Sequence, residues 1–363
     1  MSRKLLSVMA ALMGSSVMAD VPNVAVDIAP VHSLVAQVME GVGAPNLIVQ
    51  PGASPHEYSL RPSEAGALQD ADLVFWMGED LTPWLEGAIE TLAEGATVTT
   101  FLETEDTALL NFREGALFEA HDHDDHASEG GHEDHAETEH KDHDDHDDHA
   151  EDGHEDHDDH GEDGHKDHDA HAETEHDKHD DHDDEHAGHE GHGSHDPHAW
   201  LSVGNATTWL NLIAAKLSAA DPENASVYFA NAAESREEMA ALSVEIAATL
   251  EPLRGKNFIA FHDAYQYFEA DFDFPASGAI SLGDASDPSP ARIAAIQSRI
   301  KQEGIDCVLS EPQFNPGIVD TVLRGTPANT GIVDPLGASL QSGPGLYSEL
   351  LRNMAANLVE CLK

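Results

Sequence analysis

Cations are scarce in this chain: 17 Lys and Arg stand against 70 Asp and Glu, for a formal net charge of −53 over 363 residues. Such a chain repels nucleic acid and anionic membrane surfaces and attracts positive ions. Cysteine is scarcer still, with Cys307 and Cys361 alone. Long apolar runs are missing too, and the longest, at residues 5–13, is too short to span a bilayer. Residues 121–195 go furthest, holding no Val, Ile, Leu, Met, Phe, Tyr, Trp or Cys.

That apolar-free tract is where the histidines are. It contains 22 of the 26, set among Asp and Glu in a degenerate repeat, and residues 119–196 carry 34 acids against three Lys. With nothing to bury, such a segment cannot offset the entropy of ordering and is predicted to be disordered. Four histidines remain in ordinary sequence: His32, His56, His198 and His262. Imidazole is the commonest protein ligand for borderline metals such as zinc, so the composition points to a protein that handles a metal ion.

The first 19 residues read as an export signal: Arg3 and Lys4, an apolar centre, then Val17, Met18 and Ala19 before Asp20. The mature protein is therefore expected outside the cytoplasm, in the periplasm. There, two cysteines read as one disulfide more readily than as a metal pair, with two buried thiols as the alternative. Closing the loop between residues 307 and 361 is worth roughly 4 kcal/mol in the chain-entropy model.

Strand-like runs at residues 24–28, 47–49, 73–76 and 96–100 alternate with helical patterns at 31–39 and 63–69. This alternation predicts a parallel sheet covered on both faces. After the tract, a helix is expected over 203–217. Asp221-Pro222-Glu223 then forms a helix start, and neither glycine nor proline follows until Pro252. A helix over 222–250 would be about 43 Å long and suits a strut between two lobes. Strands at 257–261, 307–309 and 331–333, with helices starting near 264, 289 and 317 and a last one over 346–362, repeat the first pattern. The fold class is α/β, and the boundaries are a signal at 1–19, a first lobe at 20–221 with the insertion at 119–195, a bridging helix at 222–250 and a second lobe at 251–363.

Three of the four isolated histidines fall in loops at strand ends or between elements. His56 follows the strand at 47–49, His262 ends the strand at 257–261 with Asp263 as the expected cap of the next helix, and His198 lies in a proline-bounded loop. In open parallel sheets, ligands bind beyond the carboxyl ends of the strands. His32, on the first helix, reads as structural or supporting.

Residues 55–63 (Pro-His-Glu-Tyr-Ser-Leu-Arg-Pro-Ser), 196–201 (Asp-Pro-His-Ala-Trp-Leu) and 261–268 (Phe-His-Asp-Ala-Tyr-Gln-Tyr-Phe) resemble three signature segments of the zinc-binding solute-binding proteins of ABC transporters, the ZnuA-like group. Asp334-Pro335-Leu336-Gly337, the Cys361-Leu362-Lys363 end and the His-rich insertion before the second segment resemble that group as well. The resemblance implies two lobes bridged by a long helix, with a metal in the cleft and His56, His198 and His262 as its ligands. For the fourth position it implies Asp334, or water as in some zinc members. An acid just before the first histidine serves in others, but Pro55 stands there, and Glu57 is a weaker candidate.

Three imidazoles and one oxygen form a tetrahedral set suited to Zn2+, whereas manganese prefers more oxygen. Zinc capture and delivery to an ABC permease follows as the expected function, by a monomer with no nucleic-acid partner, and a periplasmic zinc chaperone as a further partner. The tract would gather zinc or sense its excess; the bland alternative is an acidic spacer. A passive zinc buffer or metallochaperone and a manganese carrier are the other transport-related readings. A zinc hydrolase would need a general base such as Glu57 or Asp263, and no His-Glu-x-x-His segment is present. Ligation requires neutral imidazole, so affinity is expected to fall below about pH 6.5, the reference histidine value.

Overall fold

Short apolar strands build two four-stranded parallel sheets, one in each half of the chain. The computed structural model describes residues 21–113, 118, 195–281 and 288–363. The export signal at 1–19 and the disorder expected of the tract up to residue 194 lie outside the described residues. The first sheet has the order β2-β1-β3-β4, from β1 (Val24–Val26), β2 (Asn46–Leu47), β3 (Leu73–Trp76) and β4 (Thr97–Thr100). The second has the order β6-β5-β7-β8, from β5 (Phe258–His262), β6 (Ala279–Ser281), β7 (Cys307–Ser310) and β8 (Asn329–Ile332).

The two-residue side-chain period of a strand decides which core each residue joins. Val24 and Val26 face one way, into a core shared by both lobes, while Ala25 faces the other, against Ile48, Leu85 and Ile89. In β5, Phe258 and Ala260 enter the same shared core, and Ile259 and Phe261 pack with Ile296, Ile300 and Val308 on the outer face.

The helices are α1 (Ala29–Val38), α2 (Pro62–Gln69), α3 (Pro83–Leu92), α4 (Val203–Ala220), α5 (Ala225–Leu250), α6 (Gln266–Phe272), α7 (Pro290–Glu303), α8 (Pro316–Leu323) and α9 (Leu346–Leu362). Helix α3 and strand β6 are additions to the sequence-based expectation. The strut is present: a turn of 3-10 helix at Pro222–Asn224 leads into α5, whose 26 residues span about 39 Å. Tyr228, Ala232, Ser235, Met239, Leu242, Ile246 and Leu250, three or four residues apart, form its buried stripe.

Helix α5 does not join the lobes alone. It packs against α1, α4 and α9, and α9 in turn packs on α1 and lies beside β8. All ten residues of α1 are consequently buried. The carbonyl of Pro344 accepts from Ser33 Oγ (2.9 Å) and Gln37 Nε2 (2.7 Å), and Tyr347 Oη donates to the carbonyl of Trp200 (2.8 Å). The expected disulfide is formed, Cys307 to Cys361 with Cα atoms 5.7 Å apart, and it pins α9 to the start of β7. Among the described residues no helix is long and apolar enough to cross a membrane.

Candidate metal centre

Parallel strands place their carboxyl ends along one edge, and the chemistry gathers there. His262 is the last residue of β5, Glu311 follows β7 directly, and Asp334 lies two residues beyond β8. The loop after β2 brings His56 from the first lobe, and a 3-10 turn at Ala199–Leu201 follows His198. The Nε2 atoms of His198 and His262 are 3.4 Å apart, and their ring centroids 5.2 Å. The His56 ring lies 5.6 Å from that of His198. These three histidines line a cavity of about 20 Å³ with Ser54, Pro55, Trp200, Glu311, Gln313, Phe314, Pro335 and Leu336. His198 and His262 are buried, and His56 is half-buried.

A tetrahedral zinc with bonds of about 2.0–2.1 Å sets its ligand nitrogens about 3.4 Å apart. The His198–His262 pair already has that separation. Among the described residues no group of three or more His, Cys, Asp or Glu side chains is placed close enough together to hold a metal ion.

Both buried imidazoles are oriented by carboxylates. His198 Nδ1 donates to Asp196 Oδ1 at 2.7 Å, and His262 Nδ1 donates to Glu311 Oε1 at 2.6 Å. A carboxylate only accepts, so each Nδ1 carries the proton and each Nε2 turns a lone pair toward the cavity. Asp196 is itself fixed: Gln266 Nε2 donates to its Oδ2 (3.2 Å) and Tyr267 Oη to its carbonyl (2.8 Å). Burial raises the Asp196 carboxyl, but His198 and the surrounding donors outweigh it and hold it below the usual range. Trp200 Nε1 donates to the carbonyl of Pro335 at 2.8 Å, and Trp84 Nε1 to that of Pro55 at 2.7 Å, steadying the loops on either side. Phe314 packs edge-on against His262, with centroids 5.3 Å apart.

Asp263 does not cap α6. Its carboxylate, with that of Glu269, is gripped by Arg113, which reaches across from the segment after β4; Nη1 to Glu269 Oε2 is 2.7 Å. This takes Asp263 away from the role of a base beside the metal. Glu57 is exposed and lies outside the cavity lining. His32 donates Nε2 to the carbonyl of Pro45 at 3.1 Å, a supporting position on α1.

Asp334 is placed differently from the histidines. Its Oδ1 accepts from Gln313 Nε2 (2.9 Å) and from the amides of Leu336 and Gly337 (both 3.0 Å), and its Oδ2 from that of Ala338 (2.6 Å). It lines a neighbouring open groove of about 900 Å³ beside β8 and not the imidazole cavity. The residues that sequence reasoning left out are Glu311, Gln313, Trp84 and Arg113. Only Asp196, two positions before His198, gave a local signal.

The family described as ZnuA, zinc-uptake complex component A, periplasmic, matches residues 24–361. The high-affinity zinc uptake system protein ZnuA of Brucella abortus strain 2308 is 45% identical over 354 residues, covering 98% of this chain and 96% of its own length. The protein of the same name from Paracoccus denitrificans is 42% identical over 359 residues, covering 98% and 97%. The crystal structure of a ZnuA superposes with a TM-score of 0.65 over 95% of this chain and all of that one, a likeness of fold at 17% identity. Resemblance, architecture and family match agree, and this chain belongs to the ZnuA family of periplasmic zinc-uptake components.

Proposed function

We propose that this protein captures zinc in the periplasm and passes it to the permease of an ABC transporter. The carrying observation is the buried His198–His262 pair with Nε2 atoms 3.4 Å apart and the His56 ring 5.6 Å from His198. In this reading His198 and His262 form a preset half of the shell, and His56, on its half-exposed loop, completes it as the ion enters. The carboxylates behind the two buried imidazoles raise their basicity and offset the cation's charge. Zinc is the cargo, held without chemical change and released on docking.

The names of the relatives support the metal and the uptake role. Residues 1–19 act as the export signal, 20–221 and 251–363 as the lobes, and 222–250 as the bridge. The cross-lobe bonds of Ser33, Gln37 and Tyr347 favour small adjustments on loading over a wide hinge motion. The His-rich tract gathers zinc under scarcity or senses its excess. Competition titration against a zinc chelator tests the assignment. His262→Ala is expected to lower zinc affinity far more than deletion of residues 119–195, and equal affinity for H262A and wild type would refute it. Stimulation of the permease ATPase by the zinc-loaded protein separates delivery from passive buffering.

A further inference from the structure

Strand β8 ends the order of the second sheet, so one of its edges has no neighbouring strand among the described residues. The amides of Asn329 and Val333 donate toward β7, to the carbonyls of Asp306 and Ser310, both at 2.9 Å. Backbone groups alternate sides along a strand, so the N–H and C=O of Thr330 and Ile332 point the other way, off the sheet. The open groove of about 900 Å³ lies along this edge. Helix α8 walls it with Val319 and Asp320, and α9 with Met354 and Glu360. Gly331 lets α9 come close, since a Cβ there would stand 3.0 Å from Cys361 Cβ. Natural edge strands are commonly blunted by Lys or Pro. The β8 sequence Asn-Thr-Gly-Ile has neither, and Ile332 is 61% exposed.

Two short segments separate the groove from the imidazole cavity. Ser310 and Pro312 line the groove while Glu311 and Gln313 line the cavity. Asp334 and Ala338 line the groove while Pro335 and Leu336 line the cavity. Glu311 orients His262, and the Pro335 carbonyl holds Trp200. Whatever fills the groove therefore presses on the walls of the imidazole cavity, where a partner that takes the ion has to act. Three acids, Asp320, Asp334 and Glu360, line the groove, and no Lys, Arg or His does. We infer that β8 is the docking edge for an extended, Lys- or Arg-bearing segment of the ABC permease, which adds to the second sheet as a fifth strand. This rests on the delivery role proposed above. Main-chain hydrogen bonds to Thr330 and Ile332 fix the segment, an apolar side chain covers Ile332, and its cations meet Asp320 and Glu360. Such a segment suits the edge better than a second copy of this chain, because pairing β8 with its own two-fold mate brings acidic walls together.

The test uses the full-length, zinc-loaded protein and its permease in lipid nanodiscs, with docking read by surface binding and delivery by stimulated ATP hydrolysis. Thr330→Pro deletes one outward N–H and leaves the bonds to β7, a place where an edge strand tolerates proline. It is expected to weaken docking about tenfold or more while zinc affinity stays within about twofold of wild type. Asp320→Lys combined with Glu360→Lys, two exposed substitutions, is expected to slow association severalfold. The charge reversal keeps the test decisive if T330P folds poorly. Docking at wild-type strength by a folded T330P, or by the charge-reversed pair, would overturn the inference. So would a wild-type dimer in light scattering that T330P converts to a monomer, since the occupant is then a second copy. Failure of the delivery role looks different: the wild-type protein itself then leaves the permease unbound, and this inference falls with it.

Discussion

His198 and His262 come from segments 64 residues apart, yet their Nε2 atoms meet at 3.4 Å while each Nδ1 is tied to a carboxylate. The outer carboxylates therefore do two things at once: they choose the tautomer and they fix the ring. Glu311→Gln and Asp196→Asn keep the size of each side chain but remove the charge and the certainty of accepting. Each is expected to weaken zinc binding about 10- to 100-fold. Competition titration checks this, and an affinity within twofold of wild type would contradict it.

Arg113 joins the segment before the His-rich tract to Asp263 and Glu269 of the second lobe, both buried. Burial pushes both carboxyls above their usual values even with Arg113 beside them. Removing the guanidinium strands two buried acids, and breaking such a group costs about 3–5 kcal/mol. Arg113→Ala is expected to lower unfolding free energy by about 3 kcal/mol in urea. Adding Asp263→Asn and Glu269→Gln to it should restore part of the loss, since no buried charge is then left unpaired.

Asp27 gives a pH dependence with a definite sign. It follows β1, fully buried, with Oδ1 accepting from the amide of Ile28 (2.7 Å) and Oδ2 from that of Met77 (2.6 Å). Burial raises its carboxyl from 3.8 to about 7, against the pull of those amides. The folded state thus holds the proton more tightly than the unfolded chain. Its stabilisation is fully present below about pH 4 and is lost as pH rises through 7. Between pH 8 and pH 5 the group contributes a gain of about 2.5 kcal/mol. The stability difference between wild type and Asp27→Asn, measured by urea unfolding of the metal-free protein, should change by about that much over this interval; a constant difference would refute the assignment.

The disulfide sits at the start of β7, while Glu311 sits past its end. Four steps along the strand, about 13 Å, separate them. Replacing both Cys307 and Cys361 with Ser should cost about 2–5 kcal/mol of stability. Zinc affinity of the still-folded protein should stay within a factor of about three, a split that comparing melting with titration will show.

Local patterns made much of this molecule legible. The apolar run at 73–76 is β3 as read, and the helix start at Pro222 introduces the strut. The three histidines that line one cavity stood out because so few lie outside the tract. What stayed hidden depends on partners distant in sequence. Glu311 reads as an ordinary strand end until His262, 49 positions earlier, folds against it. Asp263 has the sequence of a helix cap, but Arg113, 150 positions before it, claims the carboxylate. Strand β6 has only three residues and is defined by its pairing with β5. Helix α3 did carry a signal, with Leu85, Ala88, Ile89 and Leu92 on one face behind Pro83, interrupted by Gly87.

The most direct measurement is a crystal structure of the zinc-loaded protein with anomalous data collected at the zinc edge. The account predicts one strong peak in the cleft, bonded to nitrogens of His56, His198 and His262 at about 2.0–2.1 Å. A cleft without zinc while the protein binds it tightly, or a peak that any one of these three imidazoles fails to reach, would contradict it.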